Sequence, residues 1–360
     1  MTEYRYLAVA VPSGEYLGDL PLSAVTFGEE LEQQVSELTA SLDLNAKTRD
    51  GRSLAARHLA WTTPRVTAIF VEADGVLVWA GVVYGRQRPS TTMRLRALNP
   101  WAYFGRRRLT ESRSYVGVDQ LTVAADLVSW AQAVPGGDLG VLVDAATSGV
   151  VVDRNPIANS WEYRPIAELV EELAQSDPGF EFAIVPDGRI GPRFRLQFWY
   201  PQRGSATVSA LWSSRSGRGS IVDFTWDEDG LGADTVVYGI GAGEGESSIR
   251  TVATLADGAP ITEAVMTWKS ITNVDTVASL TRAEVANRAR LVGSMTLELD
   301  STNPAAAWGA WSLGDLVRIV VEDDPRFTET LDVEQRVVGW QRSIDDDGKP
   351  DALTVTTRTP

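Results

Sequence analysis

Residues 64–97 read PRVTAIFVEADGVLVWAGVVYGRQRPSTTMRLRA, and this stretch decides the fold class of the 360-residue chain. Three of its segments have the two-residue alternation of β-strands: residues 66–71, 76–84 and 92–97. Asp74 and Gly75 supply a tight turn between the first two, and a second turn near Pro89 precedes the third. The stretch therefore predicts three antiparallel strands in sequence.

The same order of strands returns near the carboxyl end. Its strands are predicted over residues 315–321, 331–342 and 353–358. In both copies the middle strand carries a glycine close to a tryptophan, Trp79 with Gly81 and Gly339 with Trp340. We infer an internal repeat of one structural unit.

A repeat of this kind predicts two superposable barrels, so the two three-strand segments should belong to separate sheets. Asp74-Gly75 and Asp347-Gly348 should then occupy corresponding hairpins. Trp79 and Trp340 should lie at nearly equivalent positions of the two barrels.

Composition excludes several classes of protein. The chain has no Cys and one His, so it has no disulfides and no thiolate metal site. Its 33 Lys and Arg against 48 Asp and Glu give a formal net charge of -15, which argues against general nucleic-acid binding. The amino terminus lacks a signal pattern and no apolar run approaches the ~20 residues of a membrane span. We expect a product made in the cytoplasm.

The order of elements predicts a β-rich α+β fold with three parts: residues 1–105, a first tube-like β-barrel; 106–204, an inserted α+β domain; 205–360, a second tube-like barrel with a helix-containing insertion. The insert should hold helices over 121–131 and 166–174, the first capped by Asp119 and the second opened by Pro165. Residues 28–44 are ambiguous, and we favour a strand from Val35. Residues 205–218 are rich in Ser and Gly and indicate a linker.

No catalytic, cofactor or metal residues are predicted. The glycines of residues 239–245 follow a strand, but Glu244 replaces the third glycine of a dinucleotide motif and no amphipathic helix follows, so a hairpin loop is favoured. His58 is the single imidazole and is interpreted as a surface or partner-contacting residue. The acidic segments 322–324 and 345–348 lack the ligand spacing of a calcium loop and are interpreted as solvated turns.

Two features leave other functions open. Some carboxylate pair among 48 acidic residues could serve a cell-wall glycan hydrolase, and exposed members of the 12 Trp could bind sugars in a carbohydrate-binding adhesin of the tail. We interpret most Trp as core and interface residues. The basic run Arg106-Arg107-Arg108 is interpreted as an exposed linker after the first barrel.

Several segments together resemble the tail hub family of long-tailed phages, including the hub part of tail-associated lysins and the minor tail proteins of actinobacteriophages. The segments that carry the resemblance span nearly the whole chain: residues 27–31, 66–82, 94–97, 233–239, 313–317 and 336–340. No lysin or peptidase segment follows Pro360, so we expect no enzymatic part.

The resemblance implies a non-enzymatic homotrimer in the virion tail tip. In that family two tube-like barrels per chain let three chains form a ring that joins the sixfold tail tube to the threefold tip. The implied partners are the distal tail protein or tail tube, the tape measure protein and other tail-tip or receptor-binding proteins. Double-stranded DNA is expected to pass through the ring during genome ejection without specific binding.

The channel wall should then carry more Asp and Glu than Arg, because a basic wall would hold phosphates. Arg106, Arg107 and Arg108 should accordingly point away from the lumen, toward a neighbouring chain or an acidic partner.

Overall fold

A computed structural model describes residues 2–31, 34–188, 191–214, 219–228, 230, 233–256, 258, 260–269, 271–289, 293–344 and 351–359. Strands account for 46% of the described residues and helices for 17%, so the fold is a β-rich α+β fold, as the sequence predicts. Most of the strand pairs are antiparallel.

The strands, in chain order, are β1 (Tyr4–Ala10), β2 (Tyr16–Asp19), β3 (Leu22–Glu30), β4 (Glu37–Asp43), β5 (Thr67–Ala73), β6 (Val76–Gln87), β7 (Thr92–Leu98), β8 (Arg113–Asp119), β9 (Val141–Val143), β10 (Val151–Ala158), β11 (Glu181–Asp187), β12 (Arg193–Trp199), β13 (Val208–Ser213), β14 (Ile221–Asp227), β15 (Val236–Ile240), β16 (Arg250–Thr254), β17 (Glu263–Thr267), β18 (Ser294–Asp300), β19 (Leu316–Val321), β20 (Leu331–Ile344) and β21 (Ala352–Arg358).

The helices are α1 (Ala55–Ala60), α2 (Trp101–Phe104), α3 (Gln120–Ala133), α4 (Ile166–Ala174) and α5 (Val274–Ala289). Asp119 caps α3 as predicted, since its Oδ1 accepts hydrogen bonds from the Leu121 amide at 2.9 Å and the Thr122 amide at 3.4 Å. Pro165 directly precedes α4. Proline has no amide N–H, and the first positions of a helix do not need one, so Pro165 fits at this start.

Two six-strand units with the same strand order, together with β2 next to β1, make up a large 13-stranded sheet. The first unit runs β3, β4, β7, β6, β5, β1, and the second runs β14, β18, β21, β20, β19, β13. They differ at one edge, where β1 is antiparallel to β5 but β13 is parallel to β19. The order of strands therefore supports an internal repeat.

The ladder register repeats as well. Val82 pairs with β5 on one side and β7 on the other, and Arg336 pairs with β19 and β21 in the same manner. Shortly after each of these residues the pairing with the neighbouring strand shifts at a bulge. The bulge ends at Gly85 in β6 and at Gly339 in β20. The two middle strands are thus matched residue by residue.

Three details of the predicted repeat are wrong. Both units belong to one 13-stranded sheet, because β20 also pairs with β3 and joins them. By ladder position Trp340 matches Arg86, and Trp79 matches Val333, so the tryptophans are not equivalent. Asp74-Gly75 join β5 to β6, the first two strands of their three-strand segment. Residues 347–348, which lie outside the described residues, come after β20, the second strand of theirs.

Two further expectations need correction. Residues 208–213 of the expected linker form β13, whose Trp212 is fully buried, and residues 215–218 lie outside the described residues. The strand expected from Val35 exists as β4, but β3 precedes it and was not predicted. A bulge between Ser23 and Thr26, with Ala24 at φ 46°, interrupts the alternation that would have indicated β3.

The hydrophobic core runs through both units and extends into the insert. One cluster lies on the same side of β3, β4, β6, β18 and β20 and includes Phe27, Trp79 and Trp340. The opposite face of β1, β5 and β6 packs against α3, α4, β11 and β12, where Phe70 stacks on Phe194 at 5.0 Å between ring centroids. The first unit is therefore buried on both faces of these strands, which fixes the insert to it.

Candidate assembly interface

The seam between the two units is an antiparallel ladder of six residue pairs between β3 and β20. It runs from Glu30 opposite Gly339 to Val25 opposite Ile344. The Leu31 amide extends it with a hydrogen bond to the Val338 carbonyl at 2.8 Å. This seam shows how one unit joins another through strand edges.

Gly28 is required at the centre of the seam. A Cβ atom on Gly28 would lie 2.2 Å from the carbonyl oxygen of Trp340, which real Cβ atoms do not tolerate. Across the ladder, a Cβ atom on Gly339 would meet the flexible Glu30 side chain at 3.1 Å. The close approach of the strands at Gly28 thus depends on the missing side chain.

An aromatic cluster lies under the seam. The Phe27 ring packs edge-on against Trp340 at 5.6 Å and parallel to Trp308 at 6.4 Å between centroids. Trp308 and Trp340 are themselves perpendicular at 5.3 Å. Such geometries favour the contact beyond simple burial. Because Phe27 belongs to β3 and Trp340 to β20, the cluster holds the two units together.

A buried ion pair sits beside this cluster. Arg342 is 1% exposed, donates to the Asp351 carboxylate and lies 4.0 Å above the Trp308 ring. Tyr4 also donates to Asp351, at 2.7 Å. Burial tends to raise the pKa of Asp351, but the bonds from Tyr4 and Arg342 outweigh it and lower that pKa below its usual value. Burial raises the pKa of Tyr4, which stays a neutral donor.

A second polar joint connects all three parts of the chain. Arg336 of β20 makes a two-pronged contact with Glu181 of β11, at 2.9 and 2.8 Å. The Arg203 amide donates to the same carboxylate at 2.8 Å, and the Arg203 side chain reaches Glu29 of β3 at 3.6 Å. Burial raises the pKa of Glu29 despite Arg203. The insert is therefore attached to both units.

The basic run is a structured connection. Arg107 is half-buried, donates to the Ala131 carbonyl at 3.1 Å and lies 5.7 Å from the Tyr103 ring centre. Arg106 and Arg108 are exposed. The interpretation as an exposed linker is therefore wrong for Arg107.

His58 and the glycine loop have different outcomes. His58 is 2% exposed within α1, so its interpretation as a surface residue is wrong, and burial lowers its pKa. Residues 241–249 connect the antiparallel strands β15 and β16, so the predicted hairpin loop is confirmed. The loop contains one 3-10 turn, Gly245–Ser247, and no α-helix begins within residues 241–249 to receive a phosphate.

Of the two acidic segments, residues 322–324 lie within the described part of the chain. Asp324 accepts hydrogen bonds from the side chain and amide of Arg326, and these lower the pKa of Asp324 to about 2. Residues 345–350 lie outside the described residues. Over the parts of the chain that are described, no three His, Asp or Glu side chains are grouped to hold a metal ion. None of the described helices has the length and apolar character needed to cross a bilayer.

Two grooves and one exposed Trp bear on the sugar-substrate alternatives. A cavity of about 90 Å³ is lined by two carboxylates, Asp153 and Glu172, and Glu172 is paired with Arg164. A groove of about 430 Å³ is lined by one carboxylate, Asp19, which already accepts hydrogen bonds from Tyr16 and Arg5. Glycoside hydrolysis needs two carboxylates. Trp161, 70% exposed, is the one exposed Trp in the described residues, next to the exposed Tyr163.

Comparison with solved structures matches this architecture over nearly the whole chain. The 43 kDa tail protein of prophage MuSo2 from Shewanella oneidensis aligns with a TM-score of 0.64 and 14% identity, covering 99% of both chains. The fold is that of phage tail proteins. A tail protein from Neisseria meningitidis MC58 aligns with a TM-score of 0.61 and 12% identity, covering 99% of this chain and 96% of that one.

A further match lies outside the phages. The E. coli c3393 protein aligns with a TM-score of 0.50 and 11% identity, covering 94% of this chain and 74% of that chain. It is described as a component of the type VI secretion system with structural similarity to the T4 bacteriophage tail proteins gp27 and gp5. No protein-family model and no curated protein matches the sequence.

The sequence did not single out the residues of this interface. Arg342, Asp351 and Gly28 are scattered over the chain, and only folding brings β3 beside β20. The available signal was local: Gly28 stands between Phe27 and two glutamates, and a glycine inside a strand indicates a close backbone approach.

Proposed function

We propose that this chain is a structural protein of a phage virion, the tail hub at the tail tip, and that three copies form a ring. The observation that carries this proposal is the repeat of one six-strand unit, in strand order and in ladder register. A chain with two similar units presents six units when three copies assemble. Such a ring suits a sixfold tube on one side and a threefold tip on the other.

The parts outside the repeat fit the same role. Residues 1–105 and 205–360 would supply the ring, and residues 106–204 would face partners such as the distal tail protein, the tape measure protein or receptor-binding proteins. Phage tail proteins with the same fold support a tail role, as does the similarity recorded between the E. coli relative and gp27. The role requires no catalysis.

The charge fits a passage for DNA. Three chains carry 3 × -15 = -45 formal charges at neutral pH. An acidic wall repels phosphates, so duplex DNA would slide through without being held. The proposal places Arg106 and Arg108 away from that wall.

Native mass spectrometry of the purified chain tests the proposal. A trimer has a mass of 3 × 39.1 = 117.3 kDa, against 39.1 kDa for one chain. We expect the trimer, no release of sugars from host cell wall, and no retention of duplex DNA at low salt. A stable monomer at all concentrations, or cell-wall hydrolysis with turnover, would contradict the proposed function.

A further inference from the structure

A small three-stranded sheet is separate from the large one. It has β15 in the centre, β16 antiparallel on one side and β17 parallel on the other. Helix α5 packs on one face of this sheet, where Val237, Ala253 and Val285 form a small core. A Cβ atom on Gly239 would lie 2.0 Å from the Thr281 hydroxyl, so the helix lies directly on the central strand. One face of the small sheet is therefore covered.

The opposite face of the small sheet, which we call the outer face, has nine positions in three rows. Read across β16, β15 and β17, the rows are Arg250, Ile240 and Thr267; Val252, Tyr238 and Val265; Thr254, Val236 and Glu263. In the middle row Val252 is 61% exposed, Tyr238 41% and Val265 61%. An apolar centre inside a polar rim is the usual anatomy of a contact between proteins.

Two opposite charges occupy diagonal corners of the outer face. Arg250 stands at one end of β16, and Glu263 stands at the other end of the face, on β17. The remaining two corners are Thr254 and Thr267, which carry no charge. Arg250 and Glu263 are both exposed. The face therefore has one positive and one negative corner, with the apolar row between them.

Both corner charges have only neutral hydrogen-bond partners in the described part of the chain. Arg250 donates from Nε to the Ser248 hydroxyl at 3.3 Å and from Nη2 to the Gly245 carbonyl at 2.7 Å. Glu263 accepts from the Tyr238 hydroxyl at 2.7 Å through one carboxylate oxygen. The Nη1 nitrogen of Arg250 and the second oxygen of Glu263 are left for a further contact.

This pattern of charges is complementary to itself. A two-fold axis through the centre of the face, perpendicular to the Arg250–Glu263 diagonal, brings Glu263 of a second copy onto Arg250 of the first, and the reverse. Tyr238 lies near the axis and meets Tyr238 of the second copy. With strands about 4.8 Å apart and rows about 7 Å apart, the strands of the two copies would cross at about 70°, close to the orthogonal packing of sheets.

We propose that the outer face of the small sheet is a two-fold contact between two copies of this chain. The apolar row of each copy covers that of the other, and two Arg250–Glu263 pairs close the rim. The net charge of -15 does not prevent this contact, because charges more than about 8 Å apart are screened at physiological ionic strength. The contact does not depend on the proposed ring: it joins two single chains or two rings.

Charge reversal tests the pairing at the rim. In Arg250→Glu two carboxylates face each other at each rim contact, so the dissociation constant should rise roughly tenfold or more. Glu263→Arg should weaken the contact in the same way through two guanidinium groups. The double variant exchanges the two charges, and its dissociation constant should return to within about threefold of the natural value.

A charge in the apolar row tests the centre of the contact. Val265→Lys should abolish the association, because the ammonium group would be taken out of water without a partner. Val151→Lys is the matched control, since Val151 is 66% exposed and lies in β10, outside the small sheet. Circular dichroism of all variants should match the natural chain, which verifies their folding.

Sedimentation velocity of the full chain, at concentrations up to about 100 μM, measures the association. We expect the mass to double as the concentration rises. A trimeric ring would go from 3 × 39.1 = 117.3 kDa to 6 × 39.1 = 234.6 kDa, and a single chain from 39.1 kDa to 2 × 39.1 = 78.2 kDa.

The outcomes separate this inference from the proposed function. Doubling of the trimer that Val265→Lys abolishes and the double charge exchange restores supports both. Doubling of the single chain supports the contact and contradicts the ring. A trimer that does not double over this range contradicts the contact, assigns the outer face to a different protein and leaves the trimeric hub standing. Doubling that survives Val265→Lys or either single charge reversal also contradicts the contact.

Discussion

At the scale of single residues, the ion pair of Arg342 and Asp351 is the most sheltered charge contact of the seam. The Arg342 side chain is 1% exposed and that of Asp351 is 10% exposed. Ion pairs removed from water are kept stable by additional hydrogen bonds. Tyr4 supplies one to the Asp351 carboxylate at 2.7 Å, and Arg342 donates another to the Ala306 carbonyl at 3.3 Å.

Replacing Arg342 with Ala should therefore be strongly destabilising. We expect Arg342→Ala to lower the free energy of unfolding by about 3–5 kcal/mol, because Asp351 would remain buried without its partner. Arg318→Ala is the matched control, since Arg318 pairs with Asp332 on the surface and is half exposed. Urea denaturation should show a large loss for the first variant and little change for the second. Equal losses would contradict this account.

The pKa of Asp351 makes stability depend on pH. Its folded value lies below the unfolded value of about 3.9, so its contribution is complete above that value and is lost as pH falls through the folded pKa. We expect the stability gap between the natural chain and Asp351→Asn to be constant above pH 5 and to shrink toward pH 2. Denaturation at several pH values measures it, and a gap that stays constant down to pH 2 would refute the assignment.

The three arginines of the run at residues 106–108 should contribute differently to the stability of the fold. Arg107→Ser should lower the free energy of unfolding by about 1–3 kcal/mol, because the Ala131 carbonyl loses its donor. Arg106→Ser with Arg108→Ser should leave the melting temperature unchanged, since both are exposed. Thermal unfolding followed by circular dichroism compares them. A larger drop in melting temperature for the double variant than for Arg107→Ser would contradict the structural role assigned to Arg107.

At the scale of elements, the seam between β3 and β20 depends on strand proximity at one glycine. Gly28→Ala should cost about 1–3 kcal/mol, because the added methyl group lies too close to the Trp340 carbonyl and the strands must separate. Gly339→Ala, across the same ladder, should cost less, because the Glu30 side chain can move aside. Denaturant unfolding of both variants checks the order, and the reverse order would show that the seam is not closely packed at Gly28.

The sequence predicted elements with regular periodicity and missed those that long-range contacts define. Helix α3 and its cap Asp119 were predicted because both signals are local. Strand β3 was not predicted, because the bulge at Ala24 breaks the alternation. Strand β13 was not predicted, because the residues around it are rich in Ser and Gly and it becomes a strand by pairing with the distant β19.

The candidate interface was predictable only in outline. The repeat was visible as two segments of three strands, and the strand order supports it. The residue-by-residue alignment of the two segments could not be deduced from the sequence, because it depends on which residues pair across the strands. The only local signal was a Gly near a Trp in each segment, and this signal wrongly matched Trp79 with Trp340. The seam depends on pairing between β3 and β20, which are more than 300 residues apart.

At the scale of the whole molecule, three parts are joined at shared polar contacts. Glu181 of the insert accepts from Arg336 of the second unit, and Arg203 reaches Glu29 of the first. Together with the core that the insert shares with β1, β5 and β6, these contacts hold the insert in one position on the two units. A ring built from such chains would present three inserts in fixed places around six strand units.

If each chain carries two copies of one strand unit, three chains in a ring should present six similar units. Electron microscopy of the purified assembly, averaged without imposed symmetry, measures this. We expect a ring with a central channel, six similar inner densities and three outer densities from the inserts. A ring with six equal outer densities, a ring of another number of chains, or single particles of one chain would contradict it.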